Sequence, residues 1–220
     1  SEEARVRQRY ADLVVRQEAR DMVRLRAGIV RAIRETLHAR GFIEIETPVL
    51  QLVHGGAAAR PFDTHMNAFD QKMSLRIALE LPLKKAVVGG VDKVYEMGRL
   101  FRNEGVDSTH SPEFTSLEVY EAWGDQFTMA ELIKELHLAA ADVAGSRVVT
   151  TPAGEVDLGG EWRWLSFYDG LSEAVGEAVD VTTPVERLRE IAAAKGVDLD
   201  PSWEAGKVAM ELVAELVEPT

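Results

Sequence analysis

The chain contains no cysteine, which excludes disulfide bonds and thiolate metal sites. It also lacks any uninterrupted apolar stretch that approaches the length of a membrane-spanning helix. Its first ten residues, SEEARVRQRY, are charged and do not form the apolar core of a secretory signal peptide. Together these absences predict a cytoplasmic protein that makes no membrane contact of its own.

Positive charge is scarce relative to negative charge. The chain carries 25 Lys and Arg residues against 37 Asp and Glu residues, which gives a formal net charge of −12. Because contacts to phosphate backbones require clustered Lys and Arg side chains, such a chain is a poor freestanding nucleic-acid binder. A polynucleotide partner would need a local basic patch or another domain.

The hydrophobic pattern predicts both helices and strands. A long helix is expected from about 18 to 40, where apolar residues recur at helical spacing, and Gly41 is expected to end it. The other expected elements are strands at 42–45, 73–78, 93–101 and 113–122, helices at 80–88, 127–143, 167–176, 183–195 and 202–217, and a hairpin at 147–158 turning at Pro152-Ala153-Gly154. Since strands and helices do not alternate regularly, the pattern favours an α+β fold with a mixed, mainly antiparallel sheet flanked by helices.

One segment, FRNEGVDSTHSPEFTSLEVYEA from Phe101 to Ala122, contains several residues whose side chains can bind a ligand or take part in catalysis. Arg102 offers a planar fork of donors that suits a phosphate or a carboxylate, and Glu104 can accept from an amino group. His110 can donate to phosphate oxygens, and Phe114 can stack on a flat ring.

Two further residues of this segment share the parity of Phe114 along the second strand. Glu118 and Tyr120 are four and six residues beyond Phe114, so all three side chains are expected on one face. That face would present an aromatic plane, a carboxylate and a phenol. Such a set suits a ligand with a phosphate, an aromatic base and an ammonium group, and ATP together with an amino acid meets these demands.

Each of these residues also has an ordinary interpretation. An Arg-x-Glu pair is usually a solvated surface pair, and a single histidine is usually structural or exposed. A Phe on a strand is more often core, and a Tyr is more often a boundary residue with a wet hydroxyl. Glu80 and Glu118 can equally be carboxylates with local partners. The residues by themselves leave these alternatives open.

The whole segment resembles motif 2 of the class II aminoacyl-tRNA synthetases, in the lysyl branch of that family. GFIEIETPVL resembles motif 1, with Pro48 as its proline, so motif 1 covers about 28–50 and motif 2 about 95–122. HGGAAARPF and LRIALEL are similar to the segments that lysine enzymes carry between the two motifs. The likeness extends from about Arg9 to the end, and it implies a single partial catalytic domain over 1–220 with the class II core.

The resemblance implies a role for each matching residue that would contact ATP. Arg102 would be the catalytic residue, because it would contact the α-phosphate and the amino-acid carboxylate and stabilise charge as lysine attacks phosphorus. Glu104 would contact the adenine amino group, His110 the terminal phosphates, and Phe114 the adenine ring. Mg²⁺ is expected to neutralise phosphate charge, although no metal site is expected within this part of the chain.

The resemblance likewise implies the positions that would bind lysine. Gly56, Glu80 and Glu118 would surround the α-amino group, Arg102 would contact the carboxylate, and Tyr120 would lie near the side-chain amino group. A glycine at 56 lets the backbone approach a ligand closely. Buried carboxylates need a cationic partner, and a bound ammonium group would supply it.

Three positions depart from the family pattern. Leu79 stands where the family usually has proline, Pro82 stands where it has a large aromatic residue, and Ser111 replaces a common asparagine. A proline in the first turn of a helix is tolerated, although the packing around Pro82 must differ from that in the family. We expect altered local packing and altered ATP contacts at these positions.

The resemblance also implies sequence outside this chain. An anticodon-binding barrel would precede Arg9, and further strands, acidic metal-binding residues and the glycine-rich motif 3 would follow Thr220. We therefore expect a catalytic-domain fragment, truncated before motif 3, that is not necessarily active alone. Motif 1, including Pro48, would form the interface of a homodimer.

The expected function of the parent enzyme is ATP-dependent activation of lysine to lysyl-adenylate and transfer of lysine to tRNA(Lys). Its partners would be L-lysine, ATP and tRNA(Lys). Three alternatives stay open: the synthetase domain of a lysyl-phosphatidylglycerol synthase, a stand-alone paralogue that lysylates a protein, and a non-catalytic dimerising module.

Overall fold

The computed structural model describes residues 2–151 and 154–218 of the chain. Contacts divide the chain into two compact units, Ser1–Gly145 and Ser146–Thr220. The expectation of a single catalytic domain over 1–220 stays a prediction. Pro152 and Ala153, where the sequence predicts a hairpin turn, lie outside the described residues.

The first unit contains both helices and short and long strands. Its elements are α1 Glu2–Arg7, α2 Arg9–Val15, α3 Gln17–Ala39, β1 Ile43–Glu44, β2 Leu50–Gln51, β3 Asp63–Met66, a 3-10 turn at Asn67–Phe69, β4 Gln71–Leu75, α4 Glu80–Val88, β5 Lys93–Phe101, β6 Glu113–Glu121 and α5 Gln126–Ala144.

The hairpin of β5 and β6 organises this unit. The two strands pair antiparallel over their whole length, from Lys93 opposite Glu121 to Phe101 opposite Glu113. Strand β1 adds to β5 in parallel, while β2, β4 and β3 form a second, antiparallel sheet in that order. The mixed and mainly antiparallel pairing, with helices alongside, confirms the predicted fold class.

The two faces of the hairpin have different partners. Helices α3 and α5 cover one face through an apolar cluster of Leu37, Phe42, Tyr95, Leu132 and Leu136. Helix α4 lies on the other face, where the buried cluster is Leu79, Leu83, Val94 and Leu100. Phe114 and Tyr120 both pack against this second cluster, so the predicted shared face of these two residues is confirmed.

The second unit contains the hairpin of β7 Val148–Thr151 and β8 Gly154–Asp157, followed by α6 Phe167–Val175, α7 Val185–Lys195 and α8 Ala205–Leu216. Its helices enclose a cluster of Leu171, Val179, Leu188, Ile191, Ala192, Val208, Ala209 and Leu212. Each fully buried Leu or Ile side chain contributes about 1.5–3 kcal/mol relative to exposure.

The predicted bounds of α4 and β5 coincide with the observed ones, α3 is shifted by about one residue at both ends, and β6 ends one residue earlier than predicted. Strand β4 ends at Leu75 rather than at 78, because the next residue joins two sheets. The Arg76 N–H donates to Val49 O at 2.9 Å, and Arg76 O accepts from Phe101 N at 3.1 Å.

Within the described ranges, no helix combines the length and apolarity that crossing a membrane requires.

Candidate active site

The four residues predicted to bind ATP line one cavity of about 510 Å³ where β5 leads into β6. Arg102, the first residue after β5, lies with its guanidinium carbon 5.2 Å from the centre of the Phe114 ring. The Arg102 Nε also donates to Ile77 O at 3.3 Å, which holds the side chain against the end of β4. A planar cation is thus fixed over an aromatic face, with both groups open to the same cavity.

Glu104 lies in this cavity but already accepts one hydrogen bond. Its Oε1 accepts from Arg60 N at 3.2 Å, and Asn103 N donates to Arg60 O at 2.8 Å. The segment HGGAAARPF is therefore attached to the loop after β5 through the backbone of Arg60. Sequence reasoning did not anticipate this contact, since a loop residue that binds through its main chain leaves no side-chain signal.

His110 lines the same cavity and contacts a carboxylate that sequence reasoning missed. The Nδ1 of His110 lies 2.9 Å from each carboxylate oxygen of Asp107. The Thr109 N–H donates to Asp107, and this bond, followed by the contact with His110, holds the pKa of Asp107 well below its usual range. Asp107 therefore carries its negative charge throughout the neutral pH range.

Glu118 and Tyr120, which are predicted to bind lysine, contact each other on the α4 side of the hairpin. The Tyr120 hydroxyl donates to Glu118 Oε2 at 3.0 Å, and Leu79 N donates to Glu118 Oε1 at 2.8 Å. Burial, and then the bond to Glu118, raise the pKa of the Tyr120 hydroxyl, so it remains a donor. The shared parity of the two residues along β6 is confirmed.

Leu79 makes a contact that the family's usual proline could not make. The bond to Glu118 uses the backbone N–H of Leu79, and proline has no such group. Pro82 lies in the first turn of α4, where a missing N–H costs little. Ser111 lines the cavity of Arg102 and Phe114. Leu79 therefore supplies a hydrogen bond to a predicted lysine-binding residue.

Gly56 and Glu80 meet at the start of α4. Gly56 has a φ of +87°, and a Cβ added to it would lie 2.9 Å from Glu80 Cβ and 3.1 Å from Ala78 Cβ. Only glycine fits there, because the backbone is left-handed and the space is occupied. Glu80 Oε1 binds Lys84 Nζ at 2.7 Å, and the same ammonium lies 6.0 Å from the Tyr120 ring centre.

Pro48, the predicted interface residue, is exposed at the end of the segment after β1. The preceding residue, Thr47, is anchored to β5: its N–H and hydroxyl donate to Glu96 Oε2 at 3.1 and 2.6 Å. The apolar side chains that follow are exposed, and Leu52 and Val53 are 60% and 80% accessible.

A buried ion pair below this segment was also missed. Arg76 Nη1 lies 2.6 Å from Glu96 Oε1, and each side chain is only 4% exposed. Arg76 further donates to Thr47 O and to Arg99 O, both at 2.9 Å. A Cβ on Gly98 would lie 2.3 Å from Arg76 Nη2, so a larger residue there would have to displace the Arg76 guanidinium. The sequence contains a signal for this pair, because LRIALEL and VYEMG each place a charged residue inside an apolar pattern, and buried charges need partners.

Among the described residues, no group of three or more His, Asp or Glu side chains is arranged to hold a metal ion. The predicted residues instead form two polar sets on one face of the hairpin. The first, around Arg102 and Phe114, suits a nucleotide, and the second, around Glu118 and Tyr120, suits an ammonium group. Phe114 and Glu118 are four residues apart on one strand, which corresponds to roughly 13 Å.

Comparison with known proteins agrees with this geometry. The family of class II tRNA synthetases (D, K and N) matches residues 1–208. A lysine–tRNA ligase of Kineococcus radiotolerans is 54% identical over 215 residues, which is 96% of this chain and 43% of the relative. Lysine–tRNA ligase 1 of Mycobacterium tuberculosis is 55% identical over 204 residues, which is 92% of this chain and 40% of the relative.

A third relative is named for a different activity. The lysylphosphatidylglycerol biosynthesis bifunctional protein LysX of Mycobacterium sp. (strain JLS) is 48% identical, and the match covers 99% of this chain but 20% of the relative. The chain thus spans less than half the length of each of these relatives. The resemblance drawn from motifs 1 and 2 is confirmed, and the chain belongs to the family of class II tRNA synthetases (D, K and N).

Proposed function

We propose that the parent enzyme activates lysine with ATP to form lysyl-adenylate and pyrophosphate, and then transfers lysine to tRNA(Lys). The observation that supports this most is the cavity in which Arg102, Glu104, His110 and Phe114 lie together. The carboxylate and phenol of Glu118 and Tyr120 on the same face of β6 add a site for an ammonium group.

Arg102 would act through electrostatics and placement. Its guanidinium would bind the α-phosphate and the lysine carboxylate, and stabilise the charge that develops as the carboxylate oxygen attacks phosphorus and pyrophosphate leaves. The guanidinium carbon of Arg102 lies 5.2 Å from the centre of the Phe114 ring, which supports adjacent binding of the phosphate and the base. Phe114 would then hold adenine, and Glu104 would accept from the adenine amino group.

Glu80, Glu118, Tyr120 and the backbone at Gly56 would bind lysine. Glu80 Oε1 binds the Lys84 ammonium at 2.7 Å, which supports a role for this carboxylate as an ammonium acceptor. Tyr120, whose hydroxyl remains protonated, would keep Glu118 oriented while the substrate ammonium binds.

Other components of the proposal come from the family. Mg²⁺ would be carried mainly by the ATP phosphates, whose charge it neutralises. The parent would work in the cytoplasm as a homodimer, with the segment after Pro48 at the interface. The exposed side chains of Leu52 and Val53 support an interface there, because clustered exposed apolar groups mark association sites.

Lysine-dependent exchange between ATP and pyrophosphate tests the main proposal. It should be measured in this chain and in a longer chain that covers the full length of the lysine–tRNA ligases, each also as Arg102→Ala. We expect exchange in the longer wild type and a loss of about 100-fold or more in its Arg102→Ala variant. A folded longer chain without exchange would contradict the proposal.

Light scattering tests the proposed dimer, and a monomer mass at every concentration would count against it.

The similarity to LysX supports a second candidate, in which the activated lysine is passed on to phosphatidylglycerol. Both candidates require the same adenylate chemistry, so exchange alone does not separate them. Transfer of labelled lysine to lipid in the presence of tRNA(Lys) and phosphatidylglycerol vesicles would favour the second candidate, and label in tRNA alone would favour the first.

A further inference from the structure

The loop between β5 and β6 is organised by one carboxylate oxygen. Asp107 Oδ1 accepts from the main-chain N–H groups of Thr109 and His110 at 2.7 and 2.8 Å, and from the Thr109 hydroxyl at 2.9 Å. The Asp107 N–H in turn donates to His110 O at 3.2 Å. The chain from Asp107 to His110 is thus closed on itself at the wall of the candidate ATP cavity.

The turn alone is ordinary, since the same arrangement occurs elsewhere in the chain. Asp180 Oδ1 accepts from the N–H and hydroxyl of Thr182 at 2.8 and 2.7 Å, and Asp200 binds Ser202 in the same way. Neither of these carboxylates contacts a histidine in the described structure. Asp107 differs because it also binds an imidazole that lines a cavity.

The contact with Asp107 decides which imidazole nitrogen can reach a ligand. A charged carboxylate can only accept, so the Nδ1 of His110, at 2.9 Å from both oxygens, must carry the proton. Among the residues described, no hydrogen-bond partner is found for Nε2 of His110. With Nδ1 bound, Nε2 is the nitrogen left to face the cavity, and it donates a hydrogen bond only when the ring is positively charged.

We propose that Asp107 is a positioning residue that holds His110 so that the Nε2 of its imidazolium form contacts the terminal phosphates of ATP. This inference rests on the proposed function, since it takes ATP as the ligand. The charged groups facing His110 across the cavity are Arg102, Glu104 and Asp107. Of these three groups, Asp107 is the one within hydrogen-bond distance of the His110 ring.

The first test observes the ring directly. In this chain, nitrogen-edited NMR of the His110 imidazole should show the neutral ring protonated at Nδ1, with His110→Gln used to assign its signals. Asp107→Asn keeps an oxygen acceptor for the loop N–H groups but removes the charge. We expect this variant to lose the Nδ1 preference. Asp180→Asn removes the charge from an equivalent turn and should leave the His110 signals unchanged.

The second test measures phosphate binding. In the longer parent chain, KM for ATP in pyrophosphate exchange is measured from pH 6 to 9 for the wild type and the same variants. We expect Asp107→Asn to raise KM about two- to fivefold across this range, which is the effect of one exposed charged pair. We expect kcat to change little.

The outcomes separate the two proposals. Normal exchange with an identical KM profile in Asp107→Asn would overturn the positioning role while leaving the proposed function intact. An absence of exchange in every folded parent chain would overturn the proposed function and the phosphate role with it. In that case an unchanged ring tautomer in Asp107→Asn would also overturn the positioning of His110.

Discussion

The two compact units bury different kinds of side chain. In the first unit, Asp12, Ser74, Arg76 and Glu96 are all less than 9% exposed, and the ion pair of the last two joins three segments. In the second unit, the buried cluster among α6, α7 and α8 is entirely apolar. The candidate site lies in the unit with the buried polar groups.

The two units therefore differ in how strictly they fix the positions of their buried side chains. An apolar cluster accepts several packings of similar volume, whereas a buried charged network is stable only when every member is present. Net charge divides in the same direction: residues 146–220 hold 15 acidic and 6 basic side chains, which is a net −9 of the chain's −12. Such a surface is unfavourable for a phosphate backbone.

The largest expected effect is the loss of one partner of the buried ion pair. Arg76→Ala leaves Glu96 charged and unpaired, so we expect a loss of about 3–5 kcal/mol in the free energy of unfolding. Urea unfolding measures it. The paired replacement Arg76→Met with Glu96→Leu should recover much of the loss. An Arg76→Ala variant as stable as wild type would contradict a stabilising role for the buried ion pair.

A truncation in the second unit tests the other half of the comparison. Leu212 is fully buried in the apolar cluster, and Leu212→Ala should cost about 2–5 kcal/mol. Leu212→Met, which conserves volume, should cost less than about 1.5 kcal/mol. Hydrogen exchange should place the loss of stability in α6, α7 and α8. Equal losses for both variants would show that this apolar core tolerates substitution no better than the buried ion pair of the first unit.

Gly56→Ala separates backbone strain from crowding. Gly56 and Gly196 have similar left-handed φ values of +87° and +75°, but a Cβ meets Glu80 at the first position and open space at the second. Each alanine should cost about 1–2 kcal/mol for the left-handed backbone. Gly56→Ala must also displace Glu80. We therefore expect Gly56→Ala, but not Gly196→Ala, to weaken the binding of lysine, as measured by calorimetry. Equal effects of both variants on lysine binding would argue against a role for this contact.

The smallest effect concerns Tyr95, whose hydroxyl donates to Glu44 at 3.0 Å on the α3 side of the hairpin. Burial, and then the bond to Glu44, raise its pKa to about 12 from 10.0. Because the folded-state value is the higher one, this stabilisation is complete below pH 10 and is lost as the pH rises toward 12.

Tyr95→Phe should therefore cost about 0.5–1.5 kcal/mol at neutral pH and flatten the alkaline loss of stability. Urea unfolding at a series of pH values measures both. Tyr168→Phe is the control in the second unit, where the ring packs on the apolar cluster. An unchanged alkaline slope in Tyr95→Phe would show that ionisation of Tyr95 does not contribute to the alkaline loss of stability.

The sequence by itself determined the elements with strong local signals. The bounds of α4 and β5, the antiparallel hairpin of β5 and β6, and the shared face of Phe114, Glu118 and Tyr120 followed from periodicity and strand parity. The motifs also identified the family and the residues of the candidate site. These features depend on short-range spacing, which a sequence records directly.

Only the tertiary structure decided how distant segments meet. The short strands β2 and β3 have few residues and little periodicity, so they form only because β4 offers partners. The pairing of Arg76 with Glu96, the attachment of Arg60 to Glu104, and the contact of Gly56 with Glu80 join residues 20 to 44 positions apart. A charged side chain or a backbone N–H chooses its partner by position in space, and residue type alone does not specify that position.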